Sequence, residues 1–524
     1  MLGAGVTGSL SARAAVDPPV TTGKHLFNVR DFGASGRKED KATTAVRNAV
    51  EACANAGGGM VYVPPGDYTV GSIEFKDNIN LHLEAGATFF LSQDQEDFIS
   101  GVRSMLYADK VQNISLTGSG VLDGLAQYEF VDMRGLDIEI AEEIEIARSA
   151  GIDMRRYYRI GMQTFMFDLV GCTNVKISDI SIINSPLWSI RMTDCERVFV
   201  RGVYIYSDLE KGVNADGIDV CSSRNVTISD SVITTADDAI VLKTRKTRDQ
   251  TSEDVKKTEN VVVTNCVLSS SSTPLMIGTE THADIKHVIF SNCTIRNSNK
   301  GFGINVQDGA TVSDIIISNL TIETSRRHWN WWGSCEMVKF VLKKREDSSR
   351  VGKIRDVLIE NVICHARGTS TVKGMTEQPL ENIRMNNVQL YMEHEDAKDK
   401  RAGNAMEFEH ISGLKLQDLT VNWSEGTAEE KWKSALQIRE SEDFEIRNFR
   451  GRQGLKGSAS PAILLENVSD ALIADSKAEA GCADFIQLTG DRSSGITLRY
   501  NDTTGAQNDI SFGQEKLKSA VNKI

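Results

Sequence analysis

The chain has 524 residues, 40% of them hydrophobic and 25% charged, with a formal net charge of −13. That composition is globular rather than disordered, and an acidic balance weighs against a nucleic-acid partner, which needs a basic face for phosphate. With no run of about 18 apolar residues, no membrane span is expected, and nine dispersed cysteines without a CxxC pair read as small buried residues, not as a disulfide framework or zinc site.

Residues 1–23 open on the Gly/Ala/Ser-rich stretch MLGAGVTGSLSARAAVDPPV. Ala12-Arg13-Ala14 fits a small-x-small cleavage site, although the charged front of a signal peptide is missing. Two readings stand, a disordered tail or the remnant of an export signal; the second places the protein outside the cell or in a periplasm. Residues 24–515 read as a single domain. Its front, DKATTAVRNAVEACANAGGGMVYVPPGDYTVG, predicts a helix over about Thr43–Asn55, a glycine stop at 57–59, then a strand, a Pro-Pro-Gly turn and a second strand. Ala45, Val46, Ala49, Val50 and Cys53 share one helix face, suited to capping the open end of a repeat array.

From residue 174 one pattern recurs: a turn residue, alternating apolar residues, a second turn residue, another apolar residue. NVKISDISI starts at Asn174, RVFVRGVYI at Arg197, NVTISDSVI at Asn225, NVVVTNCVL at Asn260, HVIFSNCTI at His287, DIIISNLTI at Asp314, DVLIENVIC at Asp356 and NIRMNNVQL at Asn382. Weaker copies begin at Gly413, Asp443, Asp470 and Gly495, and successive starts are mostly 23 to 35 residues apart. Period-two alternation of Val, Ile and Thr is a strand signal, and a repeat of this length means a solenoid or a propeller. A propeller blade needs about 40 residues and four strands; these units have room for two or three short strands, one coil of a parallel β-helix. Cys172 and Cys195 hold equivalent positions, as do Cys266 and Cys293, so each pair should stack in the core.

Two excursions break the pattern, near 125–160 and 322–355. The first contains LDIEIAEEIEIARSAGIDMRRYY, with helical spacing of Ile138, Ile140, Ile144, Ile146 and Ala150; it reads as surface structure or as a flap beside a groove. The second contains RRHWNWWGSCE, in which Trp331 and Trp332 could stack on sugar rings with Glu336 as a flanking candidate contact, or the tryptophans could clasp the loop down. Walls at these two places would close one end of a groove, which suits an exo mode of attack.

Between the excursions lies NADGIDVCSSRNVTISDSVITTADDAIVLK, residues 214 to 243. Asp216 and Asp237 are 21 residues apart, close to one coil, so their side chains can face one outer groove, with Asp238 joining them if a turn re-aims it. Crowded carboxylates repel, one pKa rises, and a protonated acid results beside ionised partners. That is the equipment of a glycosidase, an acid for the leaving oxygen and a base for water. Asp219 reads instead as a turn aspartate bonding to local backbone.

These stretches resemble glycoside hydrolase family 28, the polygalacturonase-like enzymes. GGGMVYVPPGDY, GSGVLDG (118–124), NSPLW (184–188), NADGIDV (214–220) and ADDAIVLK (236–243) carry the resemblance, the last two most specifically. It implies a right-handed parallel β-helix, an all-β fold, and hydrolysis with inversion and neither metal nor cofactor. Matched motif by motif, Asp237 is the general acid, Asp216 and Asp238 activate water, and Asn214 helps orient Asp216. Inversion would separate the two main carboxyls by about 6.5–9.5 Å, retention by about 5 Å.

Two family motifs are absent. Thr273 stands near where the Gly-His-Gly histidine belongs, and Gly303-Ile304-Asn305 replaces Arg-Ile-Lys, whose basic residues hold the galacturonate carboxylate in polygalacturonases. The substrate is then neutral, or its carboxylate is held by other residues such as Arg191, three residues after Trp188 on the coil before the aspartates; Arg191 could equally sit in an ion pair. Trp188 is a further candidate contact, and Glu280 could bind a sugar hydroxyl or equally serve its turn. Two other readings stay open: a polysaccharide lyase on the same scaffold, with calcium at the aspartates, and a non-catalytic carbohydrate-binding β-helix. In each case the partner is a carbohydrate.

Overall fold

The computed structural model describes residues 25–126, 128–131, 145, 147–152, 156–159, 163–212, 214–246, 251–326, 333–395, 397–426 and 429–524. The expected tail at 1–23 and most of the expected helical spacing at 138–150 lie outside them. Among the described residues the architecture is almost entirely parallel strand, and no helix is long and apolar enough to cross a membrane.

The chain winds as a parallel β-helix. One sheet takes a strand from every coil in chain order, from Ile73–Glu74 through Phe165–Val170, Ile190–Thr193, Ile218–Cys221, Ile240–Thr244, Leu275–Thr281, Lys300–Val306 and Glu336–Leu342 to Ala506–Phe512. A second sheet supplies two more strands in most coils, fused into one long strand at Thr311–Thr324, Lys353–Ala366, Leu380–Met392 and Ile411–Trp423. The first of the two is the repeat read from the sequence. Val175, Val198, Val226, Val261, Val288, Ile315, Val357, Ile383, Leu414, Phe444, Ala471 and Ile496 pair in one continuous register, each the second residue of a repeat. The last strand, Val521–Lys523, pairs with Ile496–Leu498.

The turn residues of the repeat have a conformational task. Asn174, Arg197, Asn225, Asn260, His287 and Asp314 take φ between 55° and 59°, where the chain leaves one sheet for the other. Asparagine and aspartate tolerate this left-handed region better than other residues with a Cβ. Stacked coils then bring these side chains together: the Asn260 amide donates to Asn225 at 3.0 Å, Asn319 to Asn292 at 3.0 Å and Asn387 to Asn361 at 2.8 Å. Inside, the apolar residues of each coil form ladders, and the Cys172–Cys195 and Cys266–Cys293 thiols stack within hydrogen-bond reach. All nine cysteines are free and buried.

The helix spans Thr43–Asn55 and buries Ala45, Val46, Ala49, Val50 and Cys53, the face read from the sequence. Its end closes with the Gly58 amide on the Cys53 carbonyl at 3.0 Å, across glycines with φ of 89° and 114°. It packs on the strands Leu26–Asn28 and Gly59–Val63, over the first coil.

Long excursions share one corner, the passage from the second sheet into the first. The chain leaves a coil there after Val121–Asp123 and re-enters at Phe165–Val170, and leaves again after Thr324 and re-enters at Glu336–Leu342. Within the first excursion Tyr128–Val131 pairs antiparallel with Arg156–Arg159. Re-entry lies two coils before the strand Ile218–Cys221 in the first case and three coils after Ile240–Thr244 in the second.

Candidate active site

The aspartates occupy that same corner. Ile218 pairs with Ile190 on one side and Ile240 on the other, and Ile240 pairs with Leu275. Carried two residues back, this register aligns Trp188, Asp216, Asp238 and Thr273. Asp216 therefore stacks on Asp238, 22 residues away, and not on Asp237 as its spacing of 21 suggested. The backbone agrees: the Gly217 amide donates to the Asp238 carbonyl and the Ser189 amide to the Asp216 carbonyl, each at 2.9 Å. Gly217 permits this nesting, since a Cβ there would lie 2.3 Å from the Ala239 carbonyl oxygen and 2.8 Å from Ile233 Cγ2.

Asp237 reaches the same side through a turn. Its carbonyl accepts from Thr235 Oγ1 and Ser270 Oγ, both at 2.8 Å, and its Oδ1 accepts from the Asp238 amide at 3.0 Å. The Asp238 carboxylate accepts from Ser272 Oγ at 2.9 Å and from the Thr273 amide at 3.1 Å. Thr273, where the resemblance called for a histidine, thus holds Asp238 by its backbone. One carboxylate oxygen from each of Asp216, Asp237 and Asp238 lies within 4.8 Å of the others. The expectation of a gap of about 6.5–9.5 Å is not met in this measure. Stacking on adjacent coils brings side chains to about 4.8 Å by the strand spacing alone, and the same bound holds between Asp216 and Asp237.

Burial dominates the electrostatics. Asp216, Asp237 and Asp238 are 3%, 4% and 9% exposed. Burial, then Asp238, pushes Asp237 up to about 7. Burial, then Asp219 and Asp237, holds Asp216 well above the ordinary carboxylate range. Asp238 is also raised by burial, against the pull of Lys243, Lys300 and its two hydrogen bonds. All three carboxyls are therefore raised, Asp237 to about 7, and the cluster carries protons near neutral pH.

Asp219 is not in a turn. It sits within the strand Ile218–Cys221, fully buried, and its Oδ1 accepts from Lys243 Nζ at 2.7 Å. Lys243 is also 3.6 Å from Asp216 Oδ2, 3.9 Å from Glu280 Oε2, and 3.9 Å from the centre of the Trp188 ring. Burial pushes its pKa down, but Asp219, Asp216 and Glu280 carry it well above the ordinary lysine value. On the far side of Asp238, Lys300 Nζ donates to Thr273 Oγ1 at 3.4 Å. Three carboxylates at this spacing could hold a cation, and Lys243, 3.6 Å from Asp216, competes for the same charge.

The remaining candidates divide. Arg191 makes a bidentate pair with Asp168, at 2.8 and 2.6 Å, and lies over the Phe165 ring, so the ion-pair reading of this residue is the one observed. Trp188 is half-buried between Phe165 and the cations Lys243 and Arg245, and Glu280 completes that cation cluster, 3.4 Å from Arg245. Asn214 is half-buried at φ 58°, but the group that faces the Asp216 carboxylate is Lys243. Glu336 is 1% exposed, paired in register with Lys300 and bonded to the Ser334 amide. Trp331 and Trp332 lie outside the described residues. Gly303 stands in register between Met276 and Lys339.

Lys243, Lys300 and Asp168 were missed from the sequence. The available signal was a lone charge inside an apolar strand run, in AIVLK and FMFDLV, where alternation puts the odd residue on the outer face.

The family model for glycosyl hydrolases family 28 matches residues 53–405. An exo-poly-alpha-D-galacturonosidase of Dickeya chrysanthemi is 24% identical over 253 residues, covering 41% of this chain and 41% of that protein. An exopolygalacturonase of Zea mays is 27% identical over 224 residues, covering 41% of this chain and 48% of that one. The matched region thus spans less than half the length of these relatives. Among solved structures, the Thermotoga maritima exopolygalacturonase has a TM-score of 0.61 at 23% identity, over 76% of this chain and 92% of that one. The Yersinia enterocolitica family 28 exopolygalacturonase has 0.58 at 19%, over 81% and 78%. At such identities they establish the fold, a right-handed parallel β-helix. Since the family model covers well over half of the 524 residues, the chain belongs to glycosyl hydrolases family 28.

Proposed function

We propose that this protein is a glycosidase that hydrolyses glycosidic bonds in a pectin-like polysaccharide or its oligosaccharides. Asp237 is the general acid, and Asp216 and Asp238 activate the water. One observation carries the reading: two successive coils bring three carboxylates to one corner, with Asp237 pushed up to about 7, so a proton donor sits beside water-binding partners at neutral pH. Inversion without a metal is what the aspartate motifs imply; the carboxylate oxygens, within 4.8 Å of one another, would have to part to admit the attacking water. Attack is exo, because the two excursions leave the coil at this corner, before and after the aspartates. Trp188 and Glu280, beside the aspartates, meet the sugar, the tryptophans at 331 and 332 are assigned by residue type as stacking faces for it, and export from the cytoplasm suits a polymeric substrate. The replaced Arg-Ile-Lys motif means that a galacturonate carboxylate would be met by other cations, such as Lys339 one coil beyond Gly303.

A lyase would need a neutral base, whereas Lys243 is held charged by Asp219 and Asp216. The test is release of reducing sugar from a panel of pectic and other glycans by wild type and Asp237→Asn. The variant should lose about 10²- to 10⁴-fold in rate, and wild-type activity should fall as pH rises above 7 and Asp237 gives up its proton. Equal rates for both proteins would remove Asp237 from the role. Ultraviolet-absorbing unsaturated products would indicate a lyase, a product of retained configuration by early-time NMR would refute inversion, and an early ladder of oligosaccharides would refute exo attack.

A further inference from the structure

Lys243 ends the motif ADDAIVLK and sits, 6% exposed, at the centre of the acidic corner. Its shortest contact goes to Asp219 at 2.7 Å and its next to Asp216 at 3.6 Å, while the Trp188 ring covers it at 3.9 Å. The other Asp216 oxygen, Oδ1, is buried without a hydrogen-bond partner among the described residues. Asp216 thus holds its charge by one cation, and that cation is shared. We propose that Lys243, anchored by Asp219, is a positioning residue that sets the ionisation of Asp216 and thereby readies it to activate water. The inference rests on the reading that Asp216 serves as base.

The physical case is one of competition. A base must be ionised, yet Asp216 is desolvated and faces Asp219 on its own coil and Asp237 and Asp238 on the next, all of which disfavour its charge. Among the largest influences on it, Lys243 acts in the opposite direction. Lys243 is itself drawn toward Asp219 and Glu280, with Cys221 also facing it, and Arg191 faces Asp219 from the preceding coil. An opposite charge at this range shifts a carboxyl by about 1–3 pH units. Splitting the lysine between two aspartates leaves Asp216 ionisable but basic, which a water-activating group requires. A full ion pair would leave it ionised and weakly basic.

The test is the pH profile of kcat/KM on the glycan that wild type hydrolyses fastest, for Lys243→Met, Lys243→Arg and Asp219→Asn. Lys243→Met should move the rising, acidic limb to higher pH by about one unit or more. Asp219→Asn releases the lysine toward Asp216 and removes a repelling charge, so its limb should move to lower pH. Lys243→Arg keeps the charge and should keep the wild-type limb. Opposite shifts support the proposal, because a purely structural loss lowers rate without moving limbs in opposite senses. Unmoved limbs, or limbs shifted the same way, overturn it. If Lys243→Met does not fold, Asp219→Asn decides alone, an unmoved limb being the refuting result. Loss of activity in Asp237→Asn alongside unmoved limbs sinks this inference alone; full activity in Asp237→Asn sinks the functional reading beneath it.

Discussion

Replacing Asp237 with asparagine should stabilise the protein at alkaline pH while it removes the acid. Asparagine keeps an oxygen for the Asp238 amide, which donates to Asp237 Oδ1 at 3.0 Å, but carries no charge to desolvate. The wild-type carboxyl is lifted from 3.8 to about 7, mainly by burial and then by Asp238. A folded-state pKa above the unfolded value means that the native state binds the proton more tightly. The stabilisation this brings is complete below pH 3.8 and is lost as pH rises through 7. At about 1.36 kcal/mol per pH unit the loss is about 4 kcal/mol. Asparagine escapes it, and Asp216 is also relieved of one repelling neighbour, which acts in the same direction. Chemical denaturation of wild type and variant at pH 4 and pH 8 is the assay, read as midpoints because a solenoid need not unfold as one unit. The variant should gain on wild type by up to about 4 kcal/mol between the two pH values. The same difference at both would refute the claim that burial raises this carboxyl.

Gly217→Ala forces a Cβ to within 2.3 Å of the Ala239 carbonyl oxygen, so the coil bearing Asp216 must lift from the coil bearing Asp238. Stability should fall by about 1–3 kcal/mol and the rate should fall more than the melting point suggests; a wild-type rate would show that the Asp216–Asp238 stacking does not matter. Asn260→Ala puts an ordinary side chain at φ 59° and removes the 3.0 Å bond to Asn225, so thermal unfolding should report a loss of about 1–2 kcal/mol with turnover unchanged. An alanine variant as stable as wild type would mean that the asparagine stack contributes nothing.

Twelve repeats were legible in the sequence because two constraints write themselves into residue identity. Ladder positions need alternating apolar side chains, and the turn position of each repeat needs positive φ, which favours Asn, Asp or Gly although Arg197 and His287 also take it. Helix Thr43–Asn55 was legible for a similar reason, since its buried face and glycine stop are local. The aspartate motifs were readable as chemistry, but their partners were not. Coil length varies in the corner loops, from 22 residues between Ile218 and Ile240 to 35 between Ile240 and Leu275, so sequence distance does not give register. Only the stacked coils decide that Asp216 lies on Asp238, that Asp219 is a strand residue clamped to Lys243, and that Arg191 is engaged by Asp168. Backbone preference acts within a few residues and is written locally. Electrostatic pairing acts across coils, between residues whose separation in the chain carries no information about their separation in space.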